Sequence, residues 1–153
     1  MIQIRKGFFE TNSSSTHSIA LGDTDKMTIC TSLRPDIDGT VHIEGYEFGW
    51  EEETYWEAVY KASYAWLIVR DWSEPAHIFN PDSKSKEARL EMLINVIKKQ
   101  TGCHRVEFEK EDGYIDHQSA ESDECGWLFD SEEVLHNFIF NRHSILETDN
   151  DNH

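Results

Sequence analysis

Apolar residues recur at helical spacing in three stretches of the chain. Over 52–71, Trp56, Val59, Tyr60, Ser63, Trp66, Leu67 and Arg70 fall on one face at three- and four-residue intervals. Glu51, Glu52 and Glu53 stand where a first helical turn favours negative charge. The stripe predicts a helix with Trp56, Tyr60 and Trp66 in the core. Trp50 and Trp72 flank it and suit an interface. A second stripe, Leu90, Leu93, Ile94 and Ile97, predicts a helix starting after Pro81, capped by Asp82 or Ser83 and running to about Gln100. Lys98 and Lys99 suit its last turn, and Gly102 suits its stop. A third, shorter helix is expected over 131–141, with Val134, Leu135, Phe138 and Ile139 inward. Asp130 is its expected N-cap, with Glu133 three residues on.

Period-two alternation marks strands at Thr40-Val41-His42-Ile43-Glu44 and Arg105-Val106-Glu107-Phe108-Glu109. Asp112-Gly113 predicts a hairpin turn between the second of these and Gly113-Tyr114-Ile115-Asp116. Residues 2–5, 17–21 and 27–31 are further short candidates. The order of elements gives an α+β fold, with a small mixed or antiparallel sheet packed against two longer helices and one short C-terminal helix. No repeat or linker divides the 153 residues. One domain, 1–153, is therefore expected, with a polar C-terminal tail from about residue 144.

Charge narrows the partners. The chain carries 30 acids against 14 Lys and Arg, a net charge of -16, and its last third is the most acidic. Direct binding to nucleic-acid phosphates needs a basic footprint and is not expected. No apolar run reaches membrane-spanning length, and the first twenty residues lack a secretory pattern. No membrane partner is expected, and the cytoplasm is the expected location. Cys30, Cys103 and Cys125 form no C-x-x-C unit and read as free thiols of a reducing compartment. Cys103, His104, His117 and Cys125 have no recognised zinc spacing, so no metal or cofactor is implied.

Three polar segments carry candidate chemistry. Residues 8–18 read Phe-Phe-Glu-Thr-Asn-Ser-Ser-Ser-Thr-His-Ser. The hydroxyl run favours a turn, because such side chains bond their own backbone. A loop dense in hydroxyls and N–H groups can wrap an anion, with His17 as a near-neutral acid or base. In Gly113 to Ser119, an extended chain puts Asp116 and Gln118 on one face and His117 and Ser119 on the other. The third segment runs from Phe140 to Asn152 and is rich in Asn and Asp.

The opening Phe-Glu-Thr-Asn-Ser-Ser-Ser-Thr-His-Ser, the Ile115-Asp116-His117-Gln118-Ser119 patch and the Asn/Asp-rich end resemble the shared signatures of a family of bacteriophage-encoded proteins with no established activity. The resemblance covers about a quarter of the chain in three pieces. It implies a phage protein acting in the cytoplasm of an infected bacterial host, with the three segments brought together. On that expectation the site recognises a small phosphate-bearing or nucleotide-like ligand, and whether it also turns that ligand over stays open. His17 and His117 handle protons and Asp116 orients. Asn12, Ser13, Ser14, Ser15, Thr16, Ser18, Ser119, Asn141 and Asp149 contact the ligand. The alternative uses charge alone. Carboxylates at 107, 109, 111, 112, 116, 121, 123, 124, 130, 132 and 133 would imitate rows of phosphates and capture a basic host nucleic-acid-binding protein.

Overall fold

A computed structural model describes residues 4–9, 15–71, 84–116 and 125–150, with the backbone alone described at 4–9, 15, 16 and 150. The strands are β1 (Ile4–Phe9), β2 (Ser15–Leu21), β3 (Thr40–Ile43), β4 (Glu47–Phe48), β5 (Glu53–Tyr55), β6 (Arg105–Phe108), β7 (Tyr114–Ile115) and β8 (Ile145–Asn150). The helices are α1 (Ala58–Arg70), α2 (Lys86–Thr101) and α3 (Glu132–Phe140). β1-β2-β8-β5 form an antiparallel sheet, while β3 pairs with β6 and β4 with β7 in two parallel pairs. The expected α+β class is observed.

The core lies where α1 meets α2, α3 and the inner face of the four-stranded sheet. Leu67, Val69, Leu93, Ile97, Leu135, Phe138, Ile139, Ile19 and Leu146 are all buried there. Phe48 meets Tyr64 edge-on at 5.2 Å, and Trp66 stacks on Phe108 at 4.3 Å while its indole N–H donates to the Glu109 carbonyl at 2.6 Å. Such pairs add to simple area burial and fix the approach of helix to strand.

Helix ends follow local chemistry. α2 begins at Ser85, whose hydroxyl accepts from the Ala88 N–H at 3.2 Å, while Asp82 and Ser83 lie outside the described residues. It stops, as expected, at Gly102 in the left-handed region (φ 73°). The cap of α3 is Ser131 rather than Asp130. Asp130 sits in helical backbone at the end of the 3-10 turn Gly126–Phe129, whereas Ser131 is extended, as a cap must be, and accepts from Val134 N–H at 3.1 Å.

Four expectations are corrected. The helix predicted over 52–71 starts only at Ala58, because Glu53–Tyr55 is claimed by pairing with β8. A sheet partner brought from the far end of the chain outweighs local helical spacing. Trp56 consequently precedes the helix and stays 39% exposed, under the Arg142 guanidinium at 4.2 Å. The Asp112-Gly113 hairpin does not form, since β6 and β7 each run parallel to an earlier strand. Gly113 is left-handed (φ 89°) and passes so close to Gly45 that a Cβ there would lie 2.6 Å from the Gly45 Cα. The glycines let two chains cross where a hairpin was expected. Finally, the strand candidate at 17–21 is observed in β2, which also takes in Ser15 and Thr16 from the expected turn, and Ile145–Asn150 is an inner strand rather than a polar tail.

The position of β8 is set by a buried polar knot. Asn137 donates to the Gly22 carbonyl at 3.0 Å and accepts from Asn141 Nδ2 at 2.8 Å and Ser144 Oγ at 3.0 Å. Ser144 Oγ in turn accepts from Gly22 N–H at 3.0 Å. The fully buried Lys61 of α1 donates to the Asn141 and Ser144 carbonyls, each at 2.8 Å. Burial lowers the Lys61 pKa to about 8, with Cys30 acting weakly in the other direction.

Lys61→Met leaves two buried carbonyls without their donor and is expected to cost about 2–4 kcal/mol. The lysine also sets a pH dependence. Its charged form is penalised in full below about pH 8, and the penalty is relieved toward the ordinary 10.5 as pH rises. Denaturant unfolding should therefore show wild type gaining about 2–3 kcal/mol on Lys61→Met between neutral pH and about pH 10. A constant difference would contradict the assignment.

Candidate functional site

The β2–β8 register brings two of the three polar segments together. Ser15 lies opposite Asn150, Thr16 opposite Asp149, His17 opposite Thr148 and Ser18 opposite Glu147. On the other side of β8, Glu53 faces Thr148 and Thr54 faces Glu147. Directly opposed residues share a face, and faces alternate along each strand. One row, His17–Thr148–Glu53, therefore belongs to the inner side. On either side of it, the Ser18–Glu147–Thr54 row and Asp149 belong to the outer side.

A cleft of about 330 Å³ lies over these strands, lined by His17, Ser18, Glu52, Glu53, Thr54, Glu147, Thr148 and Asp149. Ser18 Oγ donates to Glu147 Oε2 at 3.4 Å, the long end of the hydrogen-bond range. Four of the eight lining residues are carboxylates, and none is Lys or Arg among the described residues. Beneath the sheet, Tyr55 has its hydroxyl pKa raised by burial and then by the Glu53 charge, while a hydrogen bond from Thr148 acts against both. The local field is negative.

The sequence-predicted residues separate. Ser18 and Asp149 line the cleft. His17 contributes to its lining, but the imidazole is 3% exposed and turned inward, with Nδ1 3.2 Å from the Tyr64 hydroxyl. That hydroxyl lies 3.7 Å from the Cys125 thiol, so His17 is part of a buried polar chain under the sheet. Asn141 is fully buried in the knot beside β8 and does not line the cleft. Asp116 is buried where its N–H donates to the Phe48 carbonyl at 2.7 Å, and it does not line the cleft either. Ser15 and Thr16 are placed by backbone register alone. Asn12, Ser13, Ser14, His117 and Ser119 lie outside the described residues.

Glu52, Glu53, Thr54, Glu147 and Thr148 were not singled out from the sequence. The acids at 51–53 suited a helix start, and those after 144 suited a tail. Cys30 and Cys103 are free and buried, as expected, and Cys125 is buried beside the Tyr64 hydroxyl. Among the described residues, no three His, Cys, Asp or Glu side chains are placed to share a metal ion, and no helix is long and apolar enough to cross a membrane. The carboxylates proposed for a phosphate-like surface are distributed unevenly. Asp116 is buried, Glu107 pairs with Arg105 and His42, Glu132 pairs with Lys99, and Glu109 accepts from its own turn at Glu111 and Asp112. No known family pattern, curated protein or solved structure matches the chain.

The inward imidazole makes a direct prediction. His17→Ala removes a packed ring and leaves the Tyr64 hydroxyl short of a partner, at an expected cost of about 2–4 kcal/mol by chemical denaturation. A ring standing in the cleft would cost under about 0.5 kcal/mol, and that result would overturn this placement.

Proposed function

We propose that this chain is an acidic binding protein that captures a basic segment of a partner protein at the β2–β8–β5 cleft. The observation that carries the reading is the cleft's lining, rich in carboxylates with no Lys or Arg among the described residues, on a chain of net charge -16. Glu52 and Glu53 matter most, because both line the cleft and are exposed, and the exposed Glu51 precedes them directly in the chain. A field of one sign concentrates partners of the other sign and speeds their encounter. Taken with the resemblance to phage-encoded proteins, the partner is a host nucleic-acid-binding protein in the cytoplasm of an infected bacterium. Its phosphate-binding groove is basic and would accept a carboxylate surface. The acids that do this work are those beside β5, not mainly the late-chain acids expected from composition.

A second reading keeps a small phosphate-bearing or nucleotide-like ligand. It is favoured by one feature, the register that lays Ser15 and Thr16 beside Asn150 and Asp149. An anion entering there approaches Glu147 and Asp149 as well as Ser18, which costs Coulomb energy in a site of reduced dielectric. The basic partner incurs no such cost.

Titration calorimetry with polylysine tests the first reading. Binding should weaken steeply with added salt. The combined Glu51→Gln, Glu52→Gln and Glu53→Gln changes should weaken it about 5- to 30-fold at low salt, from about 1–2 kcal/mol in rim interactions. Unchanged affinity in that variant would remove the cleft from the account. A melting temperature raised by nucleotides, and not by polylysine, would favour the second reading instead.

A further inference from the structure

Among the described residues the four-stranded sheet has two edge strands, β1 on one side and β5 on the other. An open edge presents a row of backbone N–H and C=O groups that pair readily with another extended chain, and natural sheets guard such edges with charge. The sequence of β1 carries Arg5 and Lys6. β5 is Glu-Thr-Tyr and carries no base. It pairs with β8 along one side, and no strand lies along its other side among the described residues.

Three further features surround this edge. Glu51, Glu52 and Glu53 are exposed in sequence around it. Trp50, 54% exposed, precedes the strand, and Trp56 follows it directly. The Trp56 ring already holds a cation, since the Arg142 guanidinium lies 4.2 Å from its centroid. Trp50 meets Tyr114 edge-on at 6.2 Å, an arrangement that engages an edge of the ring pair rather than stacking the two faces. An indole face beside carboxylates is a favourable seat for Lys or Arg.

We propose that β5 accepts an extended, basic segment of the partner protein as a fifth strand of the sheet. The segment's main chain pairs with residues 53–55. Its Lys and Arg side chains meet Glu51, Glu52, Glu53 and the Trp50 ring. Main-chain pairing supplies affinity and the alternating side chains supply selectivity, as in other strand additions. Charge selects the occupant. A second copy of this chain would bring another net charge of -16 and its own Glu51–Glu53 against the same acids, so self-pairing of β5 edges is disfavoured. The inference rests on the basic-partner reading and specifies how that partner is held.

The test uses the full chain and a short synthetic peptide of alternating lysine and valine, with a backbone N-methylated form of the same peptide as comparison. Amide hydrogen exchange, read by NMR, should slow within residues 53–55 when the parent peptide is added. N-methylation removes the peptide's donors without changing its charge, and should weaken binding about tenfold or more, the worth of one to two net hydrogen bonds. Trp50→Ala, at an exposed position, should weaken the parent peptide by about two- to fivefold. Equal affinity for both peptides, or protection confined to residues 4–9, would overturn strand addition at β5 while leaving the basic-partner reading in place. Failure of this peptide and of polylysine alike to bind would overturn both.

Discussion

The buried knot that joins α3 to β8 is the constraint on which the rest of the structure depends. Lys61 holds the Asn141 and Ser144 carbonyls, and the Asn137 and Asn141 amides with Ser144 fasten that turn to Gly22 at the end of β2. A buried cation that donates to carbonyls is costly to desolvate, and its pKa is lowered accordingly. What offsets the cost is position. The knot delivers β8 between β2 and β5, and without β8 these strands would have no common partner. Gly22 is needed at the same point, since a Cβ there would come within 2.8 Å of Asn141 Nδ2.

From that placement the site follows. β8 carries Glu147 and Asp149 outward, while Leu146 and Thr148 face the core. β2 contributes Ser18 on the outer face and buries His17 against Tyr64 on the inner one. β5, drawn out of a potential helix by the same strand, adds Glu53 and Thr54 and leaves Glu52 at the rim. A segment that is hydrophilic along its length thus becomes an ordered sheet strand by pairing on both sides. The proposed function and the stability of the sheet meet here, because acids held close together repel one another and the sheet must hold them against that repulsion.

The regular part of this fold is legible in the sequence. The stripes of α2 and α3, the αL stop at Gly102 and the alternation of β3 and β6 are local signals, and local physics decides them. The errors share one cause. Glu51–Tyr55 has acceptable helical spacing, Ser15–Ser18 has a turn-forming composition and Glu147–Asn150 resembles a frayed end. Each is overruled by strand pairing that involves β8 from the far end of the chain, which no local period reveals, and Ser15–Ser18 is paired with the nearby β1 as well. The site was half visible for the same reason. Ser18 and Asp149 were expected, but the turn chemistry assigned to their segments hid the strand register that joins them to Glu53 and Thr54. His17 was recognised as notable, although its chemistry is spent inside the fold, on the Tyr64 hydroxyl.

Amide hydrogen exchange of residues 145–150 in the free protein tests this account most directly. An inner strand, bonded to β2 on one side and β5 on the other, should exchange through openings as rare as those of the helical core around Leu93 and Leu135. Exchange at the rate of an unstructured peptide would mean that the acidic segment is not in the sheet, and the cleft built upon it would not exist.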